Sequence, residues 1–194
     1  MRKHKISRET AETKIELEFS IDGGGKGSIQ TGVGFLDHML VLLKEHGLFD
    51  LNVVCDGDLE VDQHHTTEDV GIALGQAFKK AIGDKAGITR YASVSIPMDE
   101  ALATVHIDIS GRPHLVYRVE GLKDKVGNFD TELVQEFFQG FVNHAGVTLH
   151  IHVEYGTNTH HMIEAIFKAF ARALDQASSI NPRVKGVPST KGLL

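Results

Sequence analysis

An α/β fold (α+β in its segregation of sheet and helix) made of two copies of one ββαβα unit is what this sequence predicts. Three observations lead there. Segments with period-two and period-3.6 apolar spacing follow one another in the same order in both halves of the 194 residues. A His-His-x-x-Glu motif occurs in each half, as His64-His65-Thr66-Thr67-Glu68 and His160-His161-Met162-Ile163-Glu164, at an offset of 96. Glu12 matches Glu100 at an offset of 88, and His38 matches Glu136 at 98, a drift that small loop differences explain. Self-similarity at a fixed spacing is the signature of internal duplication. The copies divide as 1–90 and 91–194.

In the first copy, Ile15, Leu17, Phe19 and Ile21 alternate with polar residues and predict a half-buried strand. Asp22 to Gly25 is a turn, and Gly27 to Thr31 returns as a short strand. Phe35, Leu36, Met39, Leu40, Leu42 and Leu43 have helical spacing, with Gly47 as the expected C-cap. Leu51, Val53 and Val54 predict a strand, Asp56-Gly57-Asp58 a turn, and Leu59 and Val61 a further short extended segment. From His64 to Ile82 the spacing of Val70, Leu74, Ala77 and Phe78 is helical and stops at Gly83.

The second copy opens with a strand from Tyr91 to Ile96. Leu102 to Ile109 alternate, Ser110 to Pro113 turn, and Leu115, Tyr117 and Val119 alternate again. Leu133, Val134, Phe137, Phe138, Phe141 and Val142 are helical up to Gly146, and Val147 to Val153 is a strand. His160 to Leu174 is helical, with Ile163, Ile166, Phe167 and Phe170 on one face. The tail from Ile180 holds two of the four prolines and is expected to be irregular. The amphipathic patterns let the helices of both copies pack together between two sheets.

Composition narrows the function. Apolar residues make up 41% and charged residues 24%, as in ordinary globular proteins. A net charge of -6 leaves no global basic footprint, so no nucleic-acid partner is expected, although local cations can still hold a small anion. The single cysteine, Cys55, excludes a disulfide framework and fits a reducing compartment, hence a cytoplasmic location. No apolar run is long enough to span a membrane, and the basic start Met1 to Lys5 leads into polar sequence rather than a secretory signal. The unusual feature is twelve histidines in a chain without tryptophan.

Residues four apart share a helix face, so His64 converges with Glu68, and His160 with Glu164. The adjacent His65 and His161 project about 100° away and cannot easily share a metal with their neighbours. One motif thus offers ligands to two metals, and two copies offer a symmetric pair of sites. His38 and Glu136 sit in equivalent earlier helices and could complete the sets. Imidazole and carboxylate without thiolate suit Mn, Fe, Co, Ni or Zn; about six ligands with open positions favour Mn. A di-metal hydrolase and a non-catalytic metal-binding protein are alternatives, but the His pairs lack an obvious bridging carboxylate for the first.

The sequence resembles the imidazoleglycerol-phosphate dehydratases of histidine biosynthesis. The matching segments are Thr10-Ala11-Glu12-Thr13, Gly34 to Met39, His64 to Asp69, Pro97 to Glu100, Asp108 to Pro113, His160-His161 through Phe167 to Phe170, and Ser189 to Gly192. They cover nearly the whole chain. Many relatives carry His where this chain has Glu136, and Ser-Ser-Lys where it has Ser189-Thr190-Lys191. The resemblance implies a four-helix layer between two four-stranded mixed sheets and two Mn²⁺ per active site. It also implies a homo-oligomer of 24 subunits with sites formed where subunits meet. The implied reaction dehydrates imidazole glycerol phosphate, a small phosphorylated imidazole, to imidazole acetol phosphate, with Glu12 as the proton-moving carboxylate. The implied metal ligands are His38, His64, His65, Glu68, Glu136, His160, His161 and Glu164. The implied substrate-binding set is Glu12 and those ligands other than Glu136, with His46, Lys168, Arg90, Arg112, Ser189, Thr190 and Lys191, the last five around the phosphate. Arg offers a planar fork and Lys a point charge for that phosphate.

Overall fold

The structure is a computed structural model describing residues 2–194. The first copy contains β1 (Lys3–Glu9), β2 (Thr13–Ser20), β3 (Ile29–Gln30), α1 (Gly34–Gly47), β4 (Asp50–Gly57) and α2 (His64–Ile82). The second contains β5 (Tyr91–Met98), β6 (Ala101–Asp108), β7 (His114–Arg118), a small hairpin β8 (Lys125–Val126) and β9 (Phe129–Asp130), α3 (Leu133–Ala145), β10 (Thr148–Tyr155) and α4 (Thr159–Ser178). The ββαβα order is present in each half, preceded by one further strand. Two four-stranded sheets result, ordered β1-β2-β4-β3 and β5-β6-β10-β7. Both are mixed, with the short β3 and β7 parallel to β4 and β10.

The duplication is visible in the strand register. Arg8 pairs with Ile15 in the first hairpin, and Ile96 with Ala103 in the second, so both strands keep the offset of 88. Inward residues of the central strands are fully buried: Ile15, Leu17 and Phe19 in one sheet, Ala103 and Val105 in the other. α2 packs on the first sheet and α4 on the second, while α3 lies against α2 and α1 against α4. A run of tilted and edge-on ring contacts crosses the layer: Phe19 to Phe78 at 6.3 Å, Phe78 to Phe141 at 5.9 Å and Phe141 to Phe170 at 5.1 Å. Such geometry suits the aromatic quadrupole. The buried apolar residues form one cluster that runs through both copies.

α2 and α3 approach closely because of two glycines four residues apart on one face. A Cβ on Gly71 would stand 2.3 Å from the Phe137 carbonyl oxygen, and one on Gly75 2.5 Å from that of Phe141. Gly71→Ala is therefore expected to cost about 1–3 kcal/mol by overpacking, read as a lower denaturant midpoint. An unchanged midpoint would mean the helices can separate freely.

Several local details differ from the sequence expectations: Asp56 and Gly57, expected in a turn, end β4, and the β8–β9 hairpin carried no strand signal. β1 was not expected, because its half-buried face carries His4, Ile6 and Arg8 and so shows little apolar alternation. As an edge strand bearing Lys3 and Lys5 it is charged in the way that discourages edge-to-edge pairing. Leu59 and Val61 form a turn and not an extended segment; Leu59 N–H donates to Gly57 O and Val61 N–H to Asp58 O, both at 2.9 Å. Gly47 is the last residue of α1 rather than its left-handed cap, a role taken by Leu48 at φ 55°. The tail beyond Ser179 is irregular, as expected, apart from one bridge between Ile180 and Ile88. Among the described residues, no helix is long and apolar enough to cross a membrane.

Candidate active site

The two His-His pairs open α2 and α4, and the sequence sets each opening locally. Asn158 is the N-cap of α4, its side chain accepting from the His160 and His161 N–H groups at 2.9 and 3.3 Å. Glu100, in the tight β5–β6 loop, accepts from the Thr157 and Asn158 N–H groups at 3.1 and 2.7 Å. At α2 the Asp62 carboxylate accepts from the His64 N–H at 2.7 Å. Carboxylates at helix starts are favoured by the orphan N–H groups and the helix dipole.

On α4, His160 Nε2 lies 3.2 Å from Glu164 Oε2, and His38 Nε2, reaching over from α1, lies 3.4 Å from the same oxygen. The three ligand atoms fall within 4.8 Å of one another. This trio joins the two copies, since α1 belongs to the first and α4 to the second. Burial by itself would raise the Glu164 carboxyl, but the Lys168 ammonium at 2.6 Å and His38 hold it below its ordinary value. A buried, ionised carboxylate with two imidazoles at this spacing fits a first-row divalent metal. In the first copy His64 Nε2 and Glu68 Oε2 approach to 3.7 Å. Glu136, half-buried on the neighbouring α3, does not join them within the 4.8 Å that defines the first trio.

His65 and His161 turn away from these sets, and each is backed by a carboxylate. His161 Nδ1 lies 2.8 Å from Glu100 Oε2, and His65 Nδ1 lies 2.9 Å from Asp58 Oδ2. An ionised carboxylate only accepts, so Nδ1 carries the proton and Nε2 keeps a lone pair able to coordinate. The same hydrogen bonds raise both imidazole pKa values, and the one from His161, with the backbone donors at the α4 start, lowers Glu100 to about 2. Asp58 was legible only as a turn residue, because nothing in a chain sequence signals a carboxylate behind a histidine seven positions away.

Glu12 lies in the β1–β2 loop, half exposed, with Oε1 3.5 Å from His65 Nε2. His46 closes α1 beside α4, its carbonyl accepting from Arg172 at 3.4 Å; burial and the charges of Lys168 and Arg172 lower its pKa. At the far end of the molecule Arg90, Arg112, Ser189, Thr190 and Lys191 line a single cavity of about 580 Å³. Arg90 is aimed by Asp108, at 2.7 Å, and by the Pro188 carbonyl, at 2.8 Å. Lys79 and Lys85 also face this cavity and were not foreseen, since isolated lysines at a helix end carry no motif.

The cation-lined cavity and the histidine pairs stand at opposite ends of the same elements. Lys79 is fifteen residues beyond His64 on α2, roughly 22 Å along the axis. Along β6, the distance from Ala101, next to Glu100, to Asp108 is roughly 24 Å. A small ligand cannot touch both ends of one chain.

Comparison with known proteins agrees with this arrangement. The sequence model for imidazoleglycerol-phosphate dehydratase matches residues 31–174. The dehydratases of Oceanobacillus iheyensis and Bacillus licheniformis are each 61% identical to this chain over 194 residues, covering all of both chains. Among solved structures, imidazoleglycerol-phosphate dehydratase of Staphylococcus aureus is 46% identical, with a TM-score of 0.84 over 92% of this chain and 99% of its own. The Pyrococcus furiosus enzyme is 37% identical, with a TM-score of 0.84 over 97% and 100%. A duplicated α/β sandwich, paired histidine helix starts and full-length likeness at this level leave one assignment: the chain belongs to the imidazoleglycerol-phosphate dehydratase family, hydro-lyases that dehydrate imidazole glycerol phosphate in histidine biosynthesis.

Proposed function

We propose that this dehydration takes place in sites shared between neighbouring copies of the chain, each site using two Mn²⁺, Glu12 and the Arg90 cavity. The observation that carries this is the separation just described: metal-ligating and phosphate-binding groups lie more than about 20 Å apart within one chain. His38, His160 and Glu164 would hold one ion with a neighbour's counterpart of His65 or His161 completing its shell; His64, Glu68 and Glu136 would serve the other. A 24-subunit assembly in the cytoplasm is the form this reading takes. Closed point-group symmetry repeats one contact throughout such an assembly.

The chemical difficulty lies in the C–H bond to be broken, which has no adjacent carbonyl. Cations bound at both ring nitrogens would supply Lewis-acid stabilisation and orientation of the imidazole. Glu12 takes the proton from that carbon and passes it to the hydroxyl on the ring-attached carbon, which leaves as water. The enol so formed gains a proton at the ring-attached carbon, loses the one on its oxygen and becomes the ketone of imidazole acetol phosphate. An exposed carboxylate beside His65 can serve as this general base. Arg90 and Arg112 present forked donors to the phosphate, Lys191 a point charge, and Ser189 and Thr190 hydroxyls. Lys79 and Lys85 add positive charge to the same cavity.

Co-expression of Glu12→Gln and Arg90→Ala chains tests the shared site. Each variant alone is expected to be nearly inactive. Random mixed assemblies should regain about a quarter of the parental activity, because a quarter of sites draw both intact groups from different copies. No recovery in co-purified mixed assemblies would refute the sharing of sites.

A further inference from the structure

The two hairpins that present Glu12 and Glu100 share one register, yet the structure ties them to their helices by different means. Glu100 is bound through its own carboxylate, to the start of α4 and to His161. Glu12 keeps its carboxylate nearly free, 3.5 Å from His65, and its backbone is bound instead. Thr10 Oγ1 accepts from the Glu12 and Thr13 N–H groups at 3.1 and 3.0 Å, and the Asp58 N–H donates to the Glu12 carbonyl at 3.1 Å.

The residue after Glu12 carries the link to α2. The buried Thr13 hydroxyl donates to Asp69 Oδ2 at 2.5 Å, while Arg8 Nη2 donates to Asp69 Oδ1 at 2.7 Å. Asp69 is only 6% exposed and directly follows Glu68 on the helix that also bears His64 and His65. In the second copy the equivalent positions, by the offsets of 88 and 96, are Ile96, Ala101 and Ala165. At these three positions the second copy therefore carries only apolar side chains. A partly buried ion pair such as Arg8–Asp69 is a poor source of stability compared with apolar packing, so its presence in one copy alone calls for another role.

We infer that Asp69, with Arg8 and Thr13, is a positioning residue that fixes the Glu12 loop against the histidine-bearing start of α2. Glu12 can then keep its carboxylate unbound for proton transfer without being loosely held. The inference rests on the reading of Glu12 as the proton-moving group. Misplacement of a reacting group by about 1 Å can cost on the order of 100-fold in rate.

The test grafts the second copy's residues into the first, as the triple variant Arg8→Ile, Thr13→Ala, Asp69→Ala, and compares it with Thr13→Val, Thr13→Ser and Glu12→Gln in the assembled, metal-loaded protein. The triple variant and Thr13→Val are expected to lose about 10- to 100-fold in kcat with KM within about twofold. Metal content should be unchanged, amide exchange across residues 10–13 faster, and Thr13→Ser near parental in both readouts. Parental kcat and parental exchange in Thr13→Val and the triple variant, with Glu12→Gln inactive, would overturn the positioning role alone. Normal turnover in Glu12→Gln would instead remove the role of Glu12 on which it depends.

Discussion

On the proposed two-ion site, Glu164→Ala is expected to release one ion per site and to lower turnover by more than the about 10- to 100-fold that loss of an outer-shell metal partner costs. Glu164 is the common point of its cluster: His38 at 3.4 Å and His160 at 3.2 Å both face its Oε2, while Lys168 holds its Oε1 at 2.6 Å. Removing the carboxylate leaves two imidazoles and an uncompensated ammonium around the cation, so the charge balance is lost together with the ligand. Elemental analysis of the purified protein gives the metal count, and a steady-state assay with added Mn²⁺ gives the rate. Full metal content with normal turnover would exclude this trio as a metal site. Glu164→Gln separates the two contributions, because the amide oxygen can still coordinate but carries no charge.

Glu12→Gln is the second large effect. General acid–base catalysis by a positioned side chain contributes about 10²- to 10⁴-fold, and that range is the expected fall in kcat. Substrate binding and metal content should change little, since Glu12 is half exposed and its closest ionisable neighbour is His65 Nε2 at 3.5 Å. The equivalent glutamate of the second copy is a useful contrast. Glu100 is held by His161 and two backbone N–H groups, which occupy its carboxylate and keep its carboxyl at about 2. Only Glu12 of the duplicated pair keeps its carboxylate clear of such hydrogen bonds. Near-normal kcat in Glu12→Gln would assign the proton transfer to another group.

The duplicated frame and the metal-binding character were legible because both are local and periodic. Alternation along β2 and β6 and the apolar stripes of α1 to α4 report which side of an element meets the core. The i, i+4 spacing of His160 and Glu164 likewise reports a shared face before any fold is known. Where the sequence reading fell short, the local signal was weak or belonged to something else. β1 turns His4, Ile6 and Arg8 toward the interior, so a charged edge strand looked like a polar lead-in. Leu59 and Val61 are apolar but sit in a turn that exposes Val61, so composition pointed to a strand that is not there.

From the sequence alone came the two-copy architecture, the resemblance to a dehydratase family and the chemical types gathered at each motif. Only the tertiary structure decided that α1 of one copy meets α4 of the other, so that His38 completes the His160–Glu164 pair. It also decided that Asp58 and Glu100 stand behind His65 and His161, and that Lys79 and Lys85 join Arg90 about 20 Å from the histidines. The reason is physical. Periodicity records the solvent or core exposure of each residue, a property of a few neighbouring turns. The identity of the group across a contact depends on how distant segments pack, and no local pattern encodes that.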